Sequence, residues 1–190
     1  MANEQRVRDV VLLAYKAFGG TVKGKTMLQK RVYFLSVILN DDLGYEAHYY
    51  GPYSEAVASA NIEMKSLGYL SESVAGWGVD RRGFELARYD YRLTDAGTRI
   101  ADRKASLSPE LWNKIEAAAK VVSEAGNLDY MELSIAAKAY FVLIQMNHKA
   151  TLEDISSMLP KFGWDVSKEE LQKATEFLQR TNLVTKASAA

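Results

Sequence analysis

GKTMLQKRVYFLSVILNDDLGYEAHYYGPYS, running from Gly24 to Ser54, is the stretch whose reading decides the fold. Leu28, Val32, Leu35 and Leu39 recur at helical spacing, with Met27, Phe34 and Ile38 beside them. Only Gln29, Tyr33, Ser36 and Asn40 make a polar stripe. A helix apolar around most of its circumference is a buried one, so residues 25–39 are expected at the centre of the molecule. Asn40-Asp41-Asp42 ends it, and the aromatic run Tyr45–Tyr50 predicts a short strand, because aromatic side chains favour a pleated, half-buried surface. Gly51-Pro52 stops that strand. Ser54 is placed to cap a third helix, with Glu55 at the positive end of its dipole.

Working outward, Val7, Val10, Val11, Ala14 and Phe18 form one helical stripe over residues 5–18, closed by Gly19-Gly20. On the other side, Val57, Ala60, Met64 and Leu67 give the third helix its inward face, and Gly68 ends it. Two strands are expected at about 69–75 and 85–93, joined by GWGVDRRG. In the second, Ala87, Tyr89, Tyr91 and Leu93 alternate with Arg88, Asp90 and Arg92, the period of a half-buried strand. Thr94 caps a further helix. Three helices followed by a two-stranded ribbon predict a winged helix-turn-helix over residues 1–105, in a mainly α (α+β) chain.

Ser108-Pro109-Glu110 starts a helix over 109–124 that is expected to bridge two halves. Helices follow at 130–146, 152–159 and 168–180. The pairs Thr151/Asp154 and Ser167/Glu170 have capping-box spacing. Residues 106–185 are therefore read as a second, wingless helix-turn-helix-like module, and 186–190 as a frayed tail.

Composition bounds the function. The chain has 190 residues, 24 basic and 24 acidic, so no global field draws it to nucleic acid. The absence of cysteine excludes disulfides, thiolate catalysis and Cys-ligated zinc, and suits a reducing cytosol. His48 and His148 are too far apart in sequence to suggest a metal centre, and no cofactor is expected. The apolar run Val10–Tyr15 is too short for a membrane span and lacks a small-residue cleavage site, so neither a signal peptide nor a membrane partner is expected. A cytoplasmic location follows.

Charge is uneven. Residues 1–40 hold seven basic side chains against two acidic, whereas 41–73 hold one against six. Basic groups on a loop, a helix start and a wing give sequence-independent phosphate contacts. The residues expected to make them are Lys23, Lys25, Lys30, Arg31, Arg81, Arg82 and Arg88. The third helix offers only Glu55, Ser59, Glu63, Lys65 and Ser66 outward, poor equipment for reading base edges. A duplex-DNA-associated regulator is thus the first expectation. A protein-interaction module with an acidic third helix is the alternative, and a homodimer through 109–146 is compatible with either.

Gly19–Thr26 matches the phosphate-binding pattern G-x-x-x-x-G-K-[ST], and nucleotide binding there is a minor alternative. That loop must follow a buried parallel strand, and residues 5–18 fit a helix better. His48 reads as a packed histidine, and Gln29, Tyr33 and Ser36 as hydrogen-bond partners of the Gly51-Pro52 turn. No catalytic residue is assigned, and the chain is not expected to be an enzyme.

The Leu28-Gln29-Lys30 helix with Tyr33 and Leu35, the Tyr50-Gly51-Pro52-Tyr53-Ser54 helix start and the Leu67-Gly68-Tyr69-Leu70 exit resemble the YwgA-like family of bacterial and archaeal proteins. The resemblance covers about residues 5–105. The same pairing of a Leu-Gln-Lys helix with a Gly-Pro turn is similar to the Panacea (SocA-like) antitoxin domain, which implies a protein-binding role. Neither resemblance supplies catalytic residues.

Overall fold

A computed structural model describes residues 3–79 and 85–185. In chain order these form α1 (Glu4–Ala17), β1 (Thr21–Lys23), α2 (Lys25–Leu39), α3 (Glu55–Ser66), β2 (Leu70–Val79) and β3 (Glu85–Leu93). They continue with α4 (Asp95–Leu107), α5 (Pro109–Glu124), α6 (Tyr130–Gln145), α7 (Leu152–Met158), a 3-10 turn (Leu159–Phe162) and α8 (Lys168–Arg180). The protein is mainly helical, with one small antiparallel sheet.

Caps explain most boundaries. Asn3 accepts from the Arg6 amide, Ser54 from Val57, Thr94 from Gly97 and Asp129 from Met131 and Glu132. The boxes at Thr151/Asp154 and Ser167/Glu170 are both closed in each direction, and Asp129/Glu132 adds one that the sequence reading missed. Asn40 ends α2 in the left-handed conformation. At the start of α4 only glycine fits, because a Cβ on Gly97 would lie 2.0 Å from the Tyr69 carbonyl oxygen.

The sheet has the order β1-β3-β2, both pairings antiparallel. Thr21, Lys23, Ser71, Ser73, Arg88, Asp90 and Arg92 fall on one face of the registered strands. Val22, Glu72, Val74, Tyr89 and Tyr91 fall on the other. Strand β1 was not foreseen: its three residues sit inside the glycine-rich motif and are too few to show a period. The element before that motif is a helix, and β1 runs antiparallel to its neighbour. The motif therefore lacks the buried parallel strand on which a phosphate-binding loop is built.

The strand expected at Tyr45–Tyr50 is absent. Glu46 and Tyr53 exchange two backbone hydrogen bonds as an isolated bridge (3.0 and 2.9 Å), and the chain between them turns back on itself. Aromatic content favoured a strand, but the segment has no neighbouring strand to pair with.

Two apolar clusters make the core. One gathers α1, the sheet, α3, α4 and the first half of α5; the other gathers α6, the 3-10 turn and α8. Helix α2 serves both, giving Leu28, Val32 and Leu35 to the first and Tyr33 and Phe34 to the second. Helix α5 does the same with Ile115 and Ala118 against Val122. Phe34 meets Phe177 of α8 edge-on, with ring centroids 5.2 Å apart.

Candidate interaction surface

The buried face of α2 fixes the loop that follows it. Gln29 makes a two-way bond with Ser54: its amide nitrogen donates to the Ser54 carbonyl, and the Ser54 amide donates back, each at 3.0 Å. One turn on, the Lys30 ammonium donates to the Pro52 carbonyl at 2.6 Å. The Tyr45 hydroxyl donates to the Gln29 carbonyl at 2.9 Å, and the Ser54 hydroxyl to Leu43 at 2.6 Å. Gly51 lies against α6, where an added Cβ would meet Lys138 Cγ at 3.0 Å and the Ser134 carbonyl at 3.3 Å. From the other side the Trp164 indole donates to the His48 carbonyl at 2.8 Å.

A loop so tied presents its tip rigidly to solvent. Tyr49 and Tyr50 are 72% and 47% exposed and pack edge to face, centroids 4.8 Å apart. In the same loop and at the start of α3, Asp42, Glu46, His48 and Glu55 are exposed. Glu46, His48, Tyr53 and Glu55 share a shallow hollow of about 220 Å³. His48 is not packed in the interior as its neighbours suggested: its ring lies over Tyr53 at 4.9 Å, on the surface. Of the three polar residues assigned to the turn, only Gln29 reaches it. Ser36 bonds the Tyr33 carbonyl, and the buried Tyr33 hydroxyl has no partner among the described residues.

The seven cations expected to hold phosphates do not form one surface. Lys30 is 1% exposed and committed to Pro52, so it is out of reach of any duplex. Burial, assisted by the charge on Lys138, pushes its pKa down to about 7. Arg31 is half-buried with its guanidinium 4.6 Å from the Phe18 ring, and burial lowers its pKa as well. Lys23 and Arg88 share one face of the sheet, where the Arg88 chain passes 3.7 Å from the position of a Cβ on Gly24, whereas Lys25 turns to the opposite face. Arg88 is bonded through two nitrogens to Asp90, at 3.0 and 3.2 Å, and Lys25 lies over the Tyr89 ring at 5.5 Å. Arg81, Arg82 and the Trp77 side chain lie outside the described residues.

The remaining basic excess of residues 1–40 is taken up internally. Arg6 pairs with Asp41, Arg8 with Glu63 and Glu4, and Lys16 with Asp102. The sequence shows these charges but not the pairing of Arg6, Arg8 and Lys16 with Asp41, Glu63 and Asp102, which lie 35, 55 and 86 residues away. The third helix also exposes Ile62 (61%), absent from the outward positions named from the sequence, and at its end Leu67 (57%), which the spacing had placed on the inward face.

Among the described residues no helix is long and apolar enough to cross a membrane, and no group of three or more His, Asp or Glu side chains could hold a metal ion. No family model matches the chain. A stretch of 98 residues is 29% identical to "Uncharacterized protein YwgA" of Bacillus subtilis (strain 168), covering 51% of this chain. The match spans 55% of that protein, about half its length. The printed name assigns no activity, and the likeness supports a YwgA-like relationship.

Proposed function

We propose that this protein is a non-catalytic interaction module whose rigid loop between α2 and α3 receives a basic segment of a partner protein. One observation carries the reading, the segregation of charge. From Val32 to Met64 the sequence contains no Lys or Arg. At the margins of that region Asp41 and Glu63 are neutralised by Arg6 and Arg8, leaving Asp42, Glu46 and Glu55 exposed in the segment that carries the exposed Tyr49 and Tyr50. Acids beside exposed aromatic faces attract Arg and Lys by charge and by cation–π contact. Because Gln29, Lys30 and Trp164 already hold the loop, little conformational entropy is lost on binding. The resemblance of the Leu-Gln-Lys helix and Gly-Pro turn to antitoxin domains supports the same class of partner.

The test is a cross-linked capture from the native host at low and high salt, with wild type beside a Glu46→Lys, Glu55→Lys variant. A stoichiometric partner retained by wild type and lost from the variant supports the module. A partner captured equally by both removes the acidic loop from consideration.

A second reading, a winged-helix nucleic-acid-binding protein, draws support from the order α1-β1-α2-α3-β2-β3, with β1 joined to the β2–β3 pair. Lys23, Arg88 and Arg92 on the outer face of β1–β3, with Lys25 at the start of α2, would hold phosphates without reading bases. A gel-shift series on duplex DNA decides it: Lys23→Gln with Lys25→Gln should weaken binding to all sequences alike and flatten its salt dependence. Wild type that binds no duplex even at low ionic strength ends this reading.

A further inference from the structure

Between the first turn of α2, the outer side of α3 and the inward face of β2–β3 lies a cleft of about 140 Å³. Its floor holds Asn61, which is 5% exposed. The Tyr15 hydroxyl donates to Asn61 Oδ1 at 2.7 Å, so the carbonyl end of this amide is fixed toward α1. The amide nitrogen at the other end donates to no group among the described residues. That nitrogen is open to the solvent of the cleft, so a ligand acceptor can take the place of water on it.

The walls specify the chemistry of that acceptor. Lys25 and Lys65 line the cleft from α2 and α3, and Glu72 from β2. Lys65 pairs with Glu72 at 3.1 Å. Burial alone would raise the Glu72 pKa, but hydrogen bonds from Lys65 and Tyr91 and the charges of Lys65 and Lys25 outweigh it, so the carboxyl titrates below its ordinary value. With Glu72 ionised, two cations face one anion, an excess of one positive charge beside an unused N–H donor. A cation would be repelled, and a neutral amide would leave that charge unmet.

We propose that this cleft binds a small carboxylate, its oxygens on Asn61 Nδ2 and the Lys25 ammonium and its aliphatic part against Leu28, Ala58 and Ile62. A cavity of roughly 150 Å³ holds a benzene-sized molecule, so the ligand has a short chain. The same chemistry is offered by a free short-chain acid and by the carboxylate end of a peptide. The site does not depend on the acidic loop and stands or falls separately from it.

The experiment follows the side-chain amide resonances of Asn61 in the full chain during titration. Propionate is the free acid, N-acetyl-alanine the peptide end and propionamide the uncharged control. Saturable shifts with either carboxylate and none with propionamide are expected, and the tighter of the two identifies the source. Lys25→Gln should weaken binding at least tenfold. Asn61→Asp keeps the acceptor for Tyr15 but replaces the free donor with an anion; followed through the backbone amides of Ala58, Ile62 and Lys65, since the variant has no side-chain amide, it should show binding abolished with the fold intact by circular dichroism. If neither carboxylate shifts Asn61 beyond what chloride does at equal ionic strength, or if Lys25→Gln and Asn61→Asp bind as wild type does, the proposal is overturned.

Discussion

Replacing Lys30 by Met should make the protein's stability respond less to pH, and the sign can be worked out beforehand. The Lys30 pKa is pushed down to about 7 in the folded protein, first by burial and then by Lys138. In the unfolded chain it returns to about 10.4. Between those values the unfolded state binds a proton that the native state does not, so this lysine makes wild type more stable as pH rises. Below pH 7 both states carry the charge, and the contribution is flat. One pKa unit is worth 1.36 kcal/mol, so from about pH 7 to about pH 9 wild type should gain roughly 2 kcal/mol over Lys30→Met. Methionine matches the aliphatic stem but leaves the Pro52 carbonyl without its donor, a pH-independent offset of about 1 kcal/mol. Urea unfolding of both proteins across that range gives the comparison, and titration of every other group cancels. Parallel stability curves would show that Lys30 does not titrate in the folded state as its burial requires.

Gly97→Ala should destabilise by more than 3 kcal/mol or prevent folding, because its Cβ meets a backbone carbonyl that cannot move aside; thermal melts measure it. Ser54→Ala removes the cap on Val57 and the bond to Leu43, an expected loss of about 2 kcal/mol by chemical denaturation. Trp164→Phe keeps most of the packing but removes one of the two donors to the His48 carbonyl, leaving the Gly51 amide. It should cost about 1–2 kcal/mol and speed amide exchange in residues 46–53.

Helices were legible because their signals are local. Ser54, Thr94, Thr151 and Ser167 mark four helix starts, and an apolar stripe on three sides announced α2 as the central helix. Three residues of β1 could not be read, since a strand that short takes its identity from Asp90, Tyr91 and Arg92, far along the chain. Tyr45–Tyr50 misled for the complementary reason: strand-favouring side chains found no partner strand and were held instead by α2. The same distance effect governed the surface. Counting charges in residues 1–40 could not reveal that Arg6, Arg8 and Lys16 are spent on acids elsewhere, or that Lys30 points inward. The acidic α2–α3 region, by contrast, was readable as a run without a single base, and the structure adds the clasp that holds it.

Sharing α2 between the two apolar clusters has a mechanical consequence. Tyr33 and Phe34 belong to one side while Leu35 belongs to the other, so neither side can open without stripping a face from the same helix. A fragment ending near residue 105 would leave Phe34, fully buried against Phe177 in the whole chain, exposed to water. Such a fragment should self-associate rather than stay dispersed, whereas the intact chain should melt in a single transition, with α2 amides exchanging only when everything lets go.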